Sequence, residues 1–343
     1  MNNSSADSTP ERIVLVANPV ASQFTGGDHR MVRAILERRY EVEALWPTSA
    51  EHAREIVETR VSAGVAGVVA MGGDGVVHQI AQALVGTKVF LGIIPVGTTN
   101  VFSRLLGIPD KATKAAEVII DAQTTTSQAT VRVGYIGEAM QAGERHAIFA
   151  TGVGLDAEVV AAAETDPHRK LRFGSIHYAT TTIGVLWRAY RGERRQFTVT
   201  ADGRSVQGAA VFAQFRPVYT YFGRVALRVD GEMPDPMTLL IMETVRLRRL
   251  PSIGFKLLAG SDLGEVAEFH TWSGISSARV TSDHSVYLQA DGELLGRADQ
   301  VSFDFVSDSI RVVAPEPKGG WYVRLRHRMG EWATRYLPRR TAR

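Results

Sequence analysis

Apolar and polar positions follow two different periods along this chain. From Arg12 to about residue 120, short β-branched runs alternate with stretches whose apolar residues recur at helical spacing. Such alternation indicates parallel βαβ units and an α/β domain. The predicted strands are Arg12–Ala17, Val42–Leu45, Gly67–Met71 and Val89–Ile94, and the predicted helices are Met31–Arg39, Ala50–Ala63 and His78–Leu84. We place this α/β domain at residues 12–122, after a polar leader at 1–11 that lacks the order of a signal peptide.

After a polar linker at Gln123–Gln128, most of the chain alternates with period two, which is typical of half-buried strands. We predict a β-rich sandwich domain at residues 129–300, and terminal strands at 301–317 that pack back toward the first domain. The predicted strands are Gln196–Thr200, Val206–Gln214, Val225–Val229, Leu239–Val245, Ala278–Ser282, Val286–Gln289, Val301–Phe305 and Ile310–Val313. Helices are expected near Asp156–Glu164, Ser175–Tyr190 and Pro251–Ala259.

Composition narrows the classes of function. The 343 residues, 45% of them hydrophobic, suffice for two domains with ordinary cores. The absence of cysteine excludes disulfides, thiolate metal sites and a cysteine nucleophile. The longest apolar runs, such as Val65–Met71, are far shorter than the roughly 20 residues that span a bilayer. A net charge of +3 gives no overall field for nucleic acid. We therefore expect a cytoplasmic protein.

Two glycine-rich segments follow neighbouring predicted strands. Gly72, Gly73, Asp74 and Gly75 follow the third strand, and the segment Gly97, Thr98, Thr99, Asn100 follows the fourth. The carboxyl ends of parallel strands are where open α/β sheets bind ligands, and glycine N–H groups at a helix start favour phosphate. The pair predicts a pocket for a polyphosphate and a phosphotransferase that uses a nucleotide.

Each candidate side chain in this region has a second interpretation. Asp74 suits Mg²⁺ or the orientation of a transferred phosphoryl group, or it caps a helix in a tight turn. Thr98, Thr99 and Asn100 offer groups to phosphate or ribose, or they cap the next helix. Asn18 and Thr48, at the ends of the first two strands, are either walls of the same cleft or turn residues. His78 lies in the first helical turn and either contacts phosphate or is a surface residue.

These segments resemble the catalytic family of diacylglycerol kinases, which includes bacterial soluble lipid kinases and the sphingosine and ceramide kinases. The resemblance is carried by Asn18-Pro19, Gly72–Gly75, Pro95–Asn100 and Gln289–Glu293, and it extends from Arg12 to Pro315. Thr99–Arg104 and Val218–Gly223 look most like the actinobacterial branch. The resemblance implies an N-terminal nucleotide domain, a C-terminal β-sandwich and a lipid alcohol bound between them, with ATP and Mg²⁺ as cofactors.

The resemblance also assigns roles near the end of the chain. It implies that Glu293 is the general base, although on sequence alone Asp291-Gly292-Glu293 is a β-hairpin turn. Asp235 matches a carboxylate that binds a structural Mg²⁺ in the family, but Pro236 replaces the glycine that follows it there. Proline removes an N–H group and fixes φ, which reshapes such a loop.

The chain departs from the family pattern at three further positions. Val76 replaces a common Thr, Val101 replaces a common Asp, and Thr130 is the closest match to another Asp. Three interpretations follow. The first is an ATP-dependent lipid kinase, with diacylglycerol as the default substrate. The second is a catalytically silent nucleotide- or lipid-binding protein of the same fold. The third is a kinase of a soluble acceptor, since NAD kinases and phosphofructokinases share Gly-Gly-Asp-Gly.

The last segment, residues 318–343, has a basic and aromatic pattern of its own. An apolar stripe at steps of three and four is flanked by Arg324, Arg328 and Arg335. The stripe consists of Trp321, Leu325, Met329, Trp332 and Tyr336. A basic amphipathic helix of this kind suits an anionic membrane surface, or it docks on the protein body. A nucleic-acid partner is disfavoured because no nucleic-acid-binding fold accompanies the tail. The sequence leaves the oligomeric state open, a homodimer included.

Overall fold

The computed structural model describes residues 10–122, 124–137, 141–164, 197–222, 225–227, 235–243 and 269–315. The predicted helices at 175–190 and 251–259 and the basic tail at 318–343 lie outside the described residues. Within the described part of the chain, no helix is long and apolar enough to cross a membrane.

The first part of the chain alternates strands and helices, as predicted. Four strands pair in parallel in the order β4-β3-β1-β2. The elements are β1 (Arg12–Ala17), α1 (Gly26–Leu36), β2 (Glu41–Leu45), α2 (Ala50–Ser62), β3 (Gly67–Gly72), α3 (Asp74–Leu84), β4 (Phe90–Pro95), α4 (Val101–Leu105) and α5 (Ala112–Asp121). The predicted α/β class with parallel strands is confirmed.

Capping explains where the first helices begin. The hydroxyl of Thr25 accepts the N–H of Asp28, so α1 begins five residues before the predicted Met31. Ser49 caps α2 in the same way and fixes the predicted start at Ala50. Helix α3 begins at Asp74 and not at His78, because Gly73 already serves as its N-cap. A helix after Asn100 was one of the expectations, and α4 begins there at Val101, but its bounds were not predicted, and α5 was not predicted at all.

The second part of the chain is rich in strands, which confirms the predicted change of structure. Its elements are β5 (Thr126–Gly137), β6 (Ala142–Ala147), β7 (Ala150–Gly154), α6 (Leu155–Glu164), β8 (Phe197–Ala201), β9 (Arg204–Gly208), β10 (Ala210–Gln214), β11 (Thr220–Phe222), β12 (Val225–Leu227), β13 (Met237–Met242), β14 (Phe269–Ile275), β15 (Ser277–Ala290) and β16 (Glu293–Val312). The predicted linker ends early, because β5 starts at Thr126.

The predicted positions at which strands are interrupted were wrong in three places. The predicted strand Val206–Gln214 is two strands, β9 and β10, separated at Ala209. Conversely, β15 and β16 each join two predicted strands into one. Their pairing register shifts between Thr281 and Val286, and between Val306 and Ile310, so a local irregularity interrupts the alternation without ending the strand.

Strand β16 links the two parts of the fold. Its start forms a hairpin with β15, its middle pairs antiparallel with β5, and its end pairs parallel with β4 through Arg311 and Phe90. The described strands other than β11 and β12 therefore form one branched sheet of 14 strands. Two clusters of buried apolar side chains lie along it, one around β1, β3, β4 and helices α1–α5, the other enclosed by β5, β7, β8, β10 and β13–β16.

Candidate active site

The carboxyl ends of β1, β3 and β4 are tied together by backbone hydrogen bonds. The N–H of Asn18 donates to the carbonyl of Met71 (2.9 Å), and the N–H of Val96 donates to that of Gly72 (3.2 Å). The loop after β1 also reaches β4, since the N–H of Gln23 donates to the Val96 carbonyl (2.9 Å). The predicted neighbouring loops therefore form one connected edge of the sheet.

Two glycines allow the loops to touch. A Cβ atom on Gly97 would lie 2.5 Å from the Cα of Gly73, and one on Gly73 would lie 3.3 Å from the Cα of Gly97. Both neighbours are backbone atoms, which cannot rotate away as a side chain could. Gly73 and Gly97, one in each predicted phosphate loop, are thus required by the close approach of the loops to each other.

Asp74 holds the two loops together from one side. Its carboxylate accepts the N–H of Val101 (3.0 Å) and of Phe102 (3.2 Å), so it caps α4, a helix 27 residues further along the chain. Burial raises the pKa of Asp74 to about 6, although these two N–H groups act in the opposite direction. Capping was one of the two interpretations of Asp74, but the capped helix is α4 and not α3. A role toward phosphate or Mg²⁺ stays a prediction.

Asn100 closes the second loop on itself. It has a left-handed backbone (φ 48°), and its side-chain amide exchanges two hydrogen bonds with the backbone of Gly97. Thr98 is exposed and shares a hydrogen bond with Ser22 (3.0 Å), while Thr99 is half-buried. Of these three side chains, Thr98 and Thr99 are the more accessible to a ligand.

Asn18 and Thr48 make local contacts at the same edge of the sheet. The side chain of Asn18 accepts the N–H of Val20 (3.1 Å), an Asx turn. Thr48 is exposed, and its hydroxyl shares a hydrogen bond with Nδ1 of His52 (2.9 Å) in α2. Both side chains thus take part in turn chemistry, and their role in a nucleotide site stays a prediction.

The hairpin between β15 and β16 brings the end of the chain to α3. Asp291 and Gly292 form its two-residue loop, with φ of 55° and 79°, and Ala290 pairs with Glu293. Two positive φ angles match the twist of the flanking strands, and Asp-Gly is the favoured sequence for such a turn. The hairpin read from the sequence is therefore present, and it places two carboxylates against α3.

Asp291 is a buried anchor of this hairpin. Its carboxylate accepts the N–H groups of Ile148 (2.8 Å), Phe149 (2.8 Å) and Ala150 (3.0 Å), and it bonds to Nδ1 of His78 (2.7 Å). The His78 side chain is fully buried. The surface interpretation of His78 was therefore wrong, and the ring faces Asp291 rather than the phosphate loops.

Arg216 connects Ile148, whose N–H group bonds to Asp291, with the start of β5. Its guanidinium donates to the carbonyls of Ile148 (3.0 Å) and Ala129 (2.7 Å) and to the side chain of Gln128 (2.7 Å). Burial lowers the pKa of Arg216 to about 10, against the attraction of Asp291. Sequence reasoning missed Arg216 and the role of Asp291, because their partners lie tens to more than a hundred residues away along the chain.

The side chain of Glu293, the first residue of β16, lies against the first turn of α3. Its Oε2 accepts the side-chain amide of Gln79 (2.9 Å), and its Oε1 lies only 2.9 Å from where a Cβ of Gly75 would stand. One quarter of the Glu293 side chain is exposed. Burial raises the pKa of Glu293, while His78 and Gln79 lower it. The structure thus brings Glu293 to the residue that follows Asp74. The role of Glu293 as a base stays a prediction.

The positions that depart from the family pattern lie in apolar or closed surroundings. Val76 and Val101 are buried in the first core. Thr130 is fully buried, and its hydroxyl bonds to His146 (2.9 Å) and Ser309 (2.8 Å). Asp235 is exposed, just before β13. Among the described residues, no three His, Asp or Glu side chains lie together as a metal site would require. The binding of Mg²⁺ by Asp235 stays a prediction.

Comparison with known proteins identifies the family. Residues 12–131 match the diacylglycerol kinase catalytic domain. A diacylglycerol kinase of Mycobacterium tuberculosis is 33% identical over 118 residues, which cover 34% of this chain and 38% of the relative. The chain thus spans about two-fifths of that relative. A "Probable lipid kinase YegS-like" of Klebsiella pneumoniae is 34% identical over 251 residues, 70% of this chain and 75% of the relative.

The fold agrees with these sequence matches. The crystal structure of a diacylglycerol kinase from Bacillus anthracis superposes with a TM-score of 0.63 at 16% identity, over 89% of this chain and 97% of that one. At this identity, the likeness concerns the fold alone. The sequence match to the Klebsiella relative covers 70% of this chain, which is more than the α/β domain alone. The chain belongs to the diacylglycerol kinase catalytic family.

Proposed function

We propose that this protein is an ATP-dependent lipid kinase that transfers the γ-phosphoryl group to the hydroxyl of a lipid alcohol. One observation carries the proposal: the partly exposed carboxylate of Glu293 is packed on Gly75, at the start of α3, beside the touching loops of Gly73 and Gly97. A carboxylate base and a phosphate-binding helix terminus at one place are the parts that phosphoryl transfer to an alcohol needs.

The chemistry assigns Glu293 the role of general base. An alcohol is a poor nucleophile, and a carboxylate within hydrogen-bond reach can take its proton as the phosphoryl group transfers. Gln79 fixes Oε2, which sets the direction of the carboxylate. The raised pKa of Glu293 makes its carboxylate a stronger base than an exposed one, provided that it is ionised at the working pH.

The nucleotide would be held by the loops at the sheet edge. Backbone N–H groups of Gly72–Gly75 and Gly97–Asn100 suit the phosphates, and Asn18 and Thr48 stand along the same edge for the remainder of ATP. Asp74 keeps the two loops in register by capping α4. Mg²⁺ would enter as part of Mg-ATP, held mainly by the phosphates.

The acceptor would come from a membrane. We propose diacylglycerol, or a related lipid alcohol, as the substrate of a cytoplasmic enzyme that binds the membrane peripherally. The basic residues and tryptophans at 318–343 support this, because each cation near an anionic lipid surface contributes about 1 kcal/mol. A chain that lacks residues 318–343 should bind anionic vesicles less well than the full chain in a sedimentation assay.

Transfer of label from γ-³²P-ATP into chloroform-extractable lipid tests the proposal. We expect label with mixed lipid vesicles and Mg²⁺, and we expect its loss in Glu293→Gln with ATP binding intact. Glu144→Gln, which changes an exposed carboxylate on β6 in the same way, is the matched control. Full activity of Glu293→Gln would remove Glu293 from the mechanism.

A silent binding protein is the second candidate, and the buried surroundings of Val101 and Thr130 favour it. Neither residue has a carboxylate of its own, and the Thr130 hydroxyl is already occupied by His146 and Ser309. This candidate predicts ATP binding without transfer to any lipid. Label transferred to NAD or a sugar phosphate would instead indicate a kinase of soluble acceptors.

A further inference from the structure

A second carboxylate and an imidazole lie behind the proposed base. Oδ2 of Asp291 is 2.7 Å from Nδ1 of His78, and the other ring nitrogen, Nε2, is 3.8 Å from Oε2 of Glu293. Among the described residues, this Nε2 has no hydrogen-bond partner, although it is fully buried. The three side chains therefore form a line, Asp291–His78–Glu293, in which only Glu293 reaches solvent.

The hydrogen bonds determine which ring nitrogens carry protons. Three backbone N–H groups donate to Asp291, so its carboxylate acts as an acceptor and Nδ1 of His78 must donate. A neutral ring would then present the lone pair of Nε2 to the carboxylate of Glu293. A doubly protonated ring presents N–H groups to both carboxylates, which is the favourable arrangement.

The surrounding charges agree with a charged ring. Burial opposes the charge, but the hydrogen bond and charge of Asp291, together with Glu293, outweigh it, so the pKa of His78 is raised. The other charged groups that face this line are Arg145 on β6, Arg216 beside Asp291, Asp74, and Glu51 on α2. Of these, Arg145 disfavours the charged ring.

We infer that His78 is a cationic positioning residue, held by Asp291, that keeps Glu293 ionised and aimed at the acceptor hydroxyl. This inference rests on the proposed role of Glu293 as base. In the transfer, the hydroxyl proton goes to Glu293 and the hydroxyl oxygen bonds to the γ-phosphorus. The bond from that phosphorus to its bridging oxygen breaks, and ADP leaves with the electron pair. His78 keeps both protons throughout.

The pH profile of kcat/KM tests the inference. Without the charge of His78, Glu293 holds its proton to a higher pH, so His78→Asn should move the acid limb upward by about one pH unit. Well below the limb, this shift is a tenfold loss of kcat/KM. His146→Gln is the matched control, since Nε2 of His146 also lies 3.8 Å from a glutamate oxygen, that of the exposed Glu144 instead of Glu293. An unshifted limb in folded His78→Asn would overturn the inference.

A second measurement uses the wild-type chain and needs no turnover. The ¹⁵N shifts of the His78 ring, assigned through its backbone, should show both nitrogens protonated at about pH 7.5, where an ordinary histidine is neutral. A neutral ring in an active kinase would overturn the inference and leave the proposed function standing. A charged ring in a chain that transfers no label would confirm the charge of His78 but overturn the proposed function, and with it the role of His78 in positioning a base.

Discussion

Gly75→Ala should separate catalysis from stability at the proposed site. The added methyl group would lie 2.9 Å from Oε1 of Glu293, whereas ordinary contact begins at 3.4 Å. The carboxylate must therefore retreat by about half an ångström, and its 2.9 Å hydrogen bond from Gln79 must lengthen or break. Since about 1 Å of misplacement can cost 10²-fold in rate, we expect kcat to fall by roughly 10- to 100-fold.

The fold should tolerate the same change. Gly75 lies within α3 at a φ that other residues adopt, and alanine is up to about 1 kcal/mol more favourable than glycine inside a helix. The clash involves the free end of a side chain that is one quarter exposed, so the chain can relieve it without moving backbone. We therefore expect a free energy of unfolding equal to wild type or slightly higher.

Label transfer to lipid and urea unfolding, measured on the same preparations, test this prediction. Gly27→Ala is the matched control: Gly27 is also the second residue of a helix, and its added methyl would meet only the Thr25 hydroxyl at 3.8 Å. Gly27→Ala should keep wild-type kcat. A folded Gly75→Ala protein with wild-type kcat would refute the reasoning that the position of Glu293 limits the reaction.

Three further changes test the contacts around the site. Gly97→Ala places a methyl 2.5 Å from the Cα of Gly73, so it should lower the free energy of unfolding by about 1–3 kcal/mol in urea. Asp291→Asn exchanges a buried acceptor of four hydrogen bonds for an amide that must donate, which should cost about 3–5 kcal/mol in the same assay. The pKa of Asp74 is raised from 3.8 to about 6, so its contribution to stability is present below about pH 4 and is lost as the pH rises through about 6. The free energy of unfolding of wild type minus that of Asp74→Asn should therefore fall by at most about 3 kcal/mol as the pH rises between those limits. A difference that rises with pH would contradict the burial of this carboxyl.

The sequence predicted the first sheet well because its determinants are local. The buried runs of β1, β3 and β4 are apolar over their whole length, and glycine or proline ends β3 and β4. The bounds of helix α4 were not predicted for a non-local reason, since its N-terminal N–H groups are capped by Asp74 from the other loop. A residue pattern within residues 97–105 carries no sign of that cap.

In the candidate site, too, some features follow from local sequence and others depend on contacts between distant residues. Asp291-Gly292 follows local turn chemistry, so the hairpin could be read from two residues. The contact of Asp291 with His78 joins residues 213 apart, and that of Glu293 with Gln79 joins residues 214 apart. Only the family resemblance pointed to Glu293, and nothing local distinguished a buried His78 from an exposed one on the first turn of a helix.

The pairing of β16 with β4 makes the order of synthesis matter. Strand β4 leaves the ribosome more than two hundred residues before Arg311, and among the described strands only β16 pairs with the side of β4 that faces away from β3. An apolar strand such as Phe90–Pro95 with an open edge is prone to pair with other chains. A fragment ending near residue 131 would contain both glycine loops and Asp74, yet it would lack the strand that covers this edge and the carboxylates that reach α3. The chain must therefore extend through β16 to complete the fold. Shorter products of translation or proteolysis should aggregate and be inactive.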